Sequence, residues 1–171
     1  MPRVYLALAA LALAACTPTF NWREVSVEAT PLKAMLPCKP ERVERRLEFT
    51  PGREVVVHAL GCEAGQATFA VLYTELSQTG ELGEALARWK NGNLTSTKAT
   101  VRSEAPYQPA GALGLPQSVQ VHADGQRADG SAVQSQSAYF ARGTQAFQAV
   151  IYAQRITPEM SEPFFSGLRF E

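Results

Sequence analysis

The chain has 171 residues, and its 16 Lys and Arg balance 16 Asp and Glu to a formal net charge of zero. That length fits one domain. The charge balance gives no support for a nucleic-acid partner or for a basic face that binds membranes.

The first predicted element is a targeting segment. Arg3 supplies a positive start, and residues 4–15 form an apolar run of twelve. Twelve helical residues reach only about 18 Å, short of the roughly 30 Å hydrocarbon core, so the run is a secretory signal rather than a span. It closes on Leu13-Ala14-Ala15-Cys16, which resembles the bacterial lipobox, L-[AS]-[GA]-C; the alternative is an ordinary signal with an incidental cysteine. The resemblance implies a thioether-linked diacylglycerol on Cys16, cleavage before it, and palmitate-type acylation of the new amino group. Two or three acyl chains on one residue give stable anchoring where one does not. Thr17 stands where inner-membrane lipoproteins carry Asp, which favours the outer membrane, facing the periplasm. The expected organisation is a signal peptide over 1–15, a tether over 16–29 and a single α+β domain over 30–171. The mature chain would keep 171 − 15 = 156 residues. Without Arg3 it would carry 15 basic and 16 acidic residues.

From residue 30 the pattern is short β-like runs over 32–36, 43–49, 54–60 and 67–76. Pro51-Gly52 and the stretch from Gly61 to Gly65 part the later ones, so consecutive hairpins are expected. Leu82, Ala85, Leu86 and Trp89 then recur at helical spacing, which predicts an amphipathic helix with Thr79 as N-cap and an end near Gly92. Its apolar face is expected to pack on strand residues such as Val71, Val121 and Phe147. Residues 118–123, 132–142 and 145–155 predict a three-stranded meander. Thr157-Pro158-Glu159 opens a last, short helix that Pro163 bends or ends. Strands, helix, strands, helix is an α+β order with an antiparallel sheet.

Several stretches together resemble the PsbP-like superfamily: Trp22, "LPCKP", "FAVLYTEL", "LARW", "YFARGTQAFQAVIYA" and the terminal "FFSGLRF". The resemblance implies an α/β/α sandwich, a central antiparallel sheet flanked by helices. It brings no shared active site. It implies action through protein binding, and none of the family's functional residues maps onto a position here.

The chemistry in the sequence is sparse. There are two histidines, His58 and His122, and two aspartates, Asp124 and Asp129, each before glycine. No G-x-S-x-G, P-loop, dinucleotide fingerprint or H-E-x-x-H occurs. Once Cys16 is lipidated, Cys38 and Cys62 remain as a pair, which in an oxidising compartment reads as a disulfide. The competing reading joins both to His58 as a Cys2His site for copper or zinc. Lys39, Arg42, Arg45 and Arg46 alternate with Glu41, Glu44 and Glu48, the pattern of a solvated strand face, though it could dock an anionic partner. Residues 105–116, rich in proline and glycine, are either a plain connection or a binding loop.

The expected function is therefore that of a lipid-anchored, non-enzymatic envelope protein without a cofactor, which binds another envelope protein or supports assembly. A small-molecule or metal-binding lipoprotein with a pocket between sheet and helix is the alternative.

Overall fold

The β-branched and aromatic runs pair into two antiparallel sheets within residues 18–171, the part of the chain that the computed structural model describes. The elements in order are β1 (Arg23–Ser26), β2 (Leu32–Leu36), β3 (Glu41–Thr50), β4 (Arg53–Ala64), β5 (Ala67–Glu75), α1 (Leu82–Ser96), β6 (Thr100–Pro106), β7 (Val119–Gln126), β8 (Ala132–Arg142), β9 (Gln145–Ala153), α2 (Pro158–Ser166) and β10 (Arg169–Phe170). The large sheet has seven strands in the order β3-β4-β5-β9-β8-β7-β6, and a small one has the order β1-β2-β10. The protein is α+β, mostly antiparallel sheet with two short helices. Among the described residues no helix is long and apolar enough to cross a membrane.

Local chemistry sets the turns. β4 and β5 are joined by Gly65 and Gln66, both at positive φ (57° and 60°), the backbone of a two-residue hairpin whose twist matches its strands. Pro51-Gly52 reverses β3 into β4, and Gly143 at φ 58° reverses β8 into β9.

The central strands are apolar on both faces, so the large sheet has two cores. On one face Phe69, Val71, Phe140, Phe147 and Ile151 pack with β2 and with Phe164 of α2. Each fully buried side chain of this kind contributes roughly 1.5–3 kcal/mol relative to exposure. On the other face Leu82, Ala85 and Leu86 of α1 cover Val119, Val121, Tyr139 and Ala141. Of the three strand residues expected beneath α1, only Val121 is there. Val71 is opposite Ala149, and Phe147 is opposite Tyr73, on the face covered by α2 and the small sheet. Alternation assigns residues to two faces, but with both faces apolar it does not say which one a given helix covers.

The domain begins before residue 30. β1 pairs with β2 from Arg23↔Leu36 to Ser26↔Lys33, and Phe20 and Trp22 set their rings against Phe69 at 6.3 and 5.8 Å. This part of the stretch expected as tether is held by the fold. Thr79 is not an N-cap: Thr79–Glu81 forms a 3-10 turn, and α1 starts at Leu82 without a side-chain cap. The helix also passes Gly92 and ends at Ser96, before Lys98 at φ 47°. Glycine costs about 1 kcal/mol inside a helix, which the packed first turns outweigh.

Candidate functional site

Because α1 lies over β7, β8 and β9, the same face of the sheet is left open toward β3. There a groove of ≈ 430 Å³ runs between α1 and the strands. Leu47 of β3, Val57 of β4, Leu72 of β5 and Val150 of β9 form its apolar floor and outer wall, and Trp89 of α1 forms the inner wall. These residues share a face by register: Val57 is opposite Thr74, and Leu72 is opposite Gln148. Leu47 is 48% exposed, whereas Val150 is 2% exposed, so the groove deepens from the sheet edge toward the helix.

At the inner end stands a polar network centred on Asn93. Its Nδ2 donates to Ser137 Oγ (2.9 Å) and to Tyr139 Oη (3.1 Å), and Tyr152 Oη donates to its Oδ1. Burial pushes the Tyr152 phenol up to about 12 and raises that of Tyr139 as well, so both hydroxyls stay protonated and neutral at ordinary pH. The lining thus combines an indole, aliphatic side chains, uncharged polar groups and one cationic residue, Arg88. It can bind an apolar group and hydrogen-bond its polar edge, and it presents no nucleophile with an adjacent base.

The residues singled out in the sequence lie elsewhere. Cys38 and Cys62 are joined in a disulfide, which leaves the Cys2His reading without its thiolates. His58 stacks on Tyr73 (centroids 4.7 Å apart), and its Nδ1 lies 3.4 Å from Glu44. His122 is on β7, with three strands between it and the β4 that carries His58. Desolvation lowers its pKa. Neither aspartate orients a histidine. Asp124 pairs with Arg102 at 3.1 Å, and Asp129 accepts from the backbone N–H and Oγ of Ser131, hydrogen bonds that hold its carboxyl below the usual range. Among the described residues, no group of three or more His, Cys, Asp and Glu could hold a metal ion. Cys16 lies outside the described residues.

The proline- and glycine-rich connection is stapled to the body. Tyr107 Oη donates to the Phe165 carbonyl (2.7 Å), and the Leu113 N–H donates to the Ala141 carbonyl (2.8 Å). Its first two residues belong to β6. The groove residues carry one sequence signal: Val150 and Tyr152 alternate with Ala149 and Ile151, so β9 has two faces to cover and only one short helix to cover the second.

No protein-family model matches the chain, and no curated protein matches it. Among solved structures, it is similar to the crystal structure of PA94, a protein of unknown function from Pseudomonas aeruginosa. The TM-score is 0.45 at 12% identity, over 83% of this chain and 89% of that one.

Proposed function

We propose that this chain is a lipid-anchored, non-enzymatic binding domain of the bacterial cell envelope, whose groove beside α1 takes an apolar segment of another envelope protein. The observation that carries the reading is the apolar groove in which the part-exposed Leu47 and Leu72 lie beside the half-buried indole of Trp89, over the buried Val57 and Val150. The groove is open along its outer wall at Leu47, which suits a chain laid across it. The amide of Gln148 on the floor can meet a peptide backbone. The anchor belongs to the same proposal and rests on Leu13-Ala14-Ala15-Cys16 and the apolar run before it. So does the finer fold reading, a PsbP-like α/β/α sandwich, which α1 on one face and α2 on the other support.

The test is site-specific photo-crosslinking in intact cells, with the photoreactive residue at Leu72 in the groove or at Arg127 in the distant β7–β8 loop. A discrete adduct to one envelope protein is expected at Leu72 only, and Val150→Glu should abolish it. Equal adducts at both positions, or adducts that survive Val150→Glu, would reject the groove as the site. A groove of ≈ 430 Å³ also falls in the range of small-molecule sites, about 300–1,000 Å³. A lipid or other small apolar molecule co-purifying with the intact protein, and lost in Val150→Glu, would establish that alternative.

A further inference from the structure

The large sheet has two free edges, and they are treated differently. β6 is blunted: its ladder with β7 is broken by a bulge between Val101 and Ser103, and the strand ends on Pro106. Such devices keep an edge from pairing with another chain. β3 has neither a bulge nor a proline over most of its length and carries charged side chains instead, which discourage pairing unless the opposite strand's charges complement them. It pairs regularly with β4 from Glu41 to Glu48, its one irregularity falls between Glu48 and Thr50, and Glu41–Glu48 are all exposed. It also carries Val43 and Leu47, 55% and 48% exposed, two of the four exposed large apolar residues among those described.

The order of residues along β3 is self-complementary. Two copies run antiparallel about a two-fold axis through Arg45 set Arg42 opposite the second copy's Glu48, Val43 opposite Leu47, and Glu44 opposite Arg46, each pair occurring twice. The two Arg45 side chains meet on the axis as the one like-charge pair. Sliding the register by two residues destroys the match. One direction sets Arg42 against Arg46 and Glu44 against Glu44; the other sets Glu44 against Glu48 and Arg46 against Arg46. Sliding by four keeps opposite charges together but pairs only residues 41–45, or crosses the irregularity after Glu48. Opposite-charge and apolar cross-strand pairs stabilise, and like charges directly opposite destabilise, so one register is selected.

We infer that β3 is the seam of a homodimer, in which two seven-stranded sheets join edge to edge about Arg45 into one continuous sheet. The occupant of the edge is a second copy of this chain, because the complementarity is of the strand to itself. A two-fold axis normal to the sheet keeps the two α1 faces on the same side. Val43 and Leu47 of the two copies then form two apolar pairs on one face, one on each side of the Arg45 pair. The backbone N–H and C=O groups along the free side of β3 gain partners. Leu47 belongs to both the seam and the outer wall of the groove, but the complementarity of the strand to itself does not depend on what the groove binds.

The test uses the full chain in membranes or detergent, with Arg45→Cys and a short bis-maleimide crosslinker. Directly opposite Cβ atoms lie about 4.5–5.5 Å apart, within its reach. The chain without the added cysteine reports coupling through Cys16, and Arg102→Cys on the β6 edge reports chance encounter. A crosslinked dimer is expected with Arg45→Cys alone. Adding Glu44→Arg or Arg46→Glu to that chain turns two attractive pairs into repulsive ones and should cut the yield about tenfold or more. Mixing those two chains should restore it, since each then meets opposite charges in the other. The double change Glu44→Arg with Arg46→Glu should also restore it. Crosslinking no stronger than that of Arg102→Cys, charge reversals without effect, or no recovery on mixing would each overturn the seam.

Discussion

Tyr152 on β9 donates its hydroxyl to the side-chain oxygen of Asn93 on α1, which ties the central sheet to the helix at the inner end of the groove. Asn93 thereby serves three partners on two strands. Its loss leaves the hydroxyls of Ser137, Tyr139 and Tyr152 without it in a partly buried setting. Asn93→Ala should cost about 2–3 kcal/mol and lower Tm by roughly 5–10 °C. Ser96→Ala, which removes only an exposed hydrogen bond to a backbone carbonyl one turn away, should stay within about 0.5 kcal/mol in the same thermal melts.

The disulfide makes the second prediction. Cys38 and Cys62 are 24 positions apart, and a crosslink closing that loop contributes about 3.5 kcal/mol on the chain-entropy estimate. Replacing both with Ser should lower Tm by roughly 7–14 °C. Reductant should bring the unaltered protein to nearly the same Tm and leave the Ser variant unmoved, as read by melts with and without it.

Trp89 is half-buried, with one side on the α1 core and the other on the groove. Trp89→Ala should therefore cost about 2 kcal/mol, below the 3–5 of a fully buried aromatic. Arg88 beside it is exposed, stacked 5.5 Å from the Phe49 ring centroid and paired with Glu84 at 2.7 Å. Arg88→Ala should stay under about 1 kcal/mol. Denaturant midpoints of the two variants check the contrast, and equal losses would contradict the packing described.

Alkaline pH should unfold the protein through its tyrosines. Tyr73, Tyr107, Tyr139 and Tyr152 all have phenols raised from the ordinary 10.0, with burial the leading cause. A raised acid holds its proton more tightly when folded, so its contribution is full below the unfolded pKa and is lost as pH climbs through the folded one. Stability should be level up to about pH 9 and fall from about 10 to 12. Tyr152→Phe, which cannot ionise, should make that decline shallower. Circular dichroism against pH, beside phenolate absorbance, reads both.

The proposed anchor predicts that Cys16→Ser leaves the protein unacylated, and either released to the soluble fraction or held as precursor. Fractionation with a labelled fatty acid distinguishes these states. An unmodified Cys16 at the mature N-terminus of the unaltered protein would reject the anchor.

Much of the fold was legible because local chemistry and tertiary demand agree. Residues 32–36 and 132–142 read as strands by their apolar content and turn residues, and the structure places β2 and β8 there. β6 was not legible, because all seven of its residues are exposed and no alternation marks a strand wet on both faces. β1 is similar, held by pairing with β2 more than by its own burial. The disulfide followed from counting cysteines. The groove could not be read, since its residues come from β3, β4, β5, α1 and β9, and what defines it is the extent of a helix's cover.

The Cys38–Cys62 link also sets how a pull on the N-terminal end of the domain would travel. The Asn21 N–H bonds the Pro37 carbonyl (2.8 Å), and the first pair of the small sheet is Arg23↔Leu36, two residues from Cys38. Tension entering through residues 18–20 therefore reaches the covalent bridge into β4 almost at once. The bridge carries it from the three-stranded sheet into the seven-stranded one. Between Cys38 and β4, the load falls on a bond rather than on hydrogen bonds that unzip one at a time, so a domain held at that end would keep its large sheet under drag.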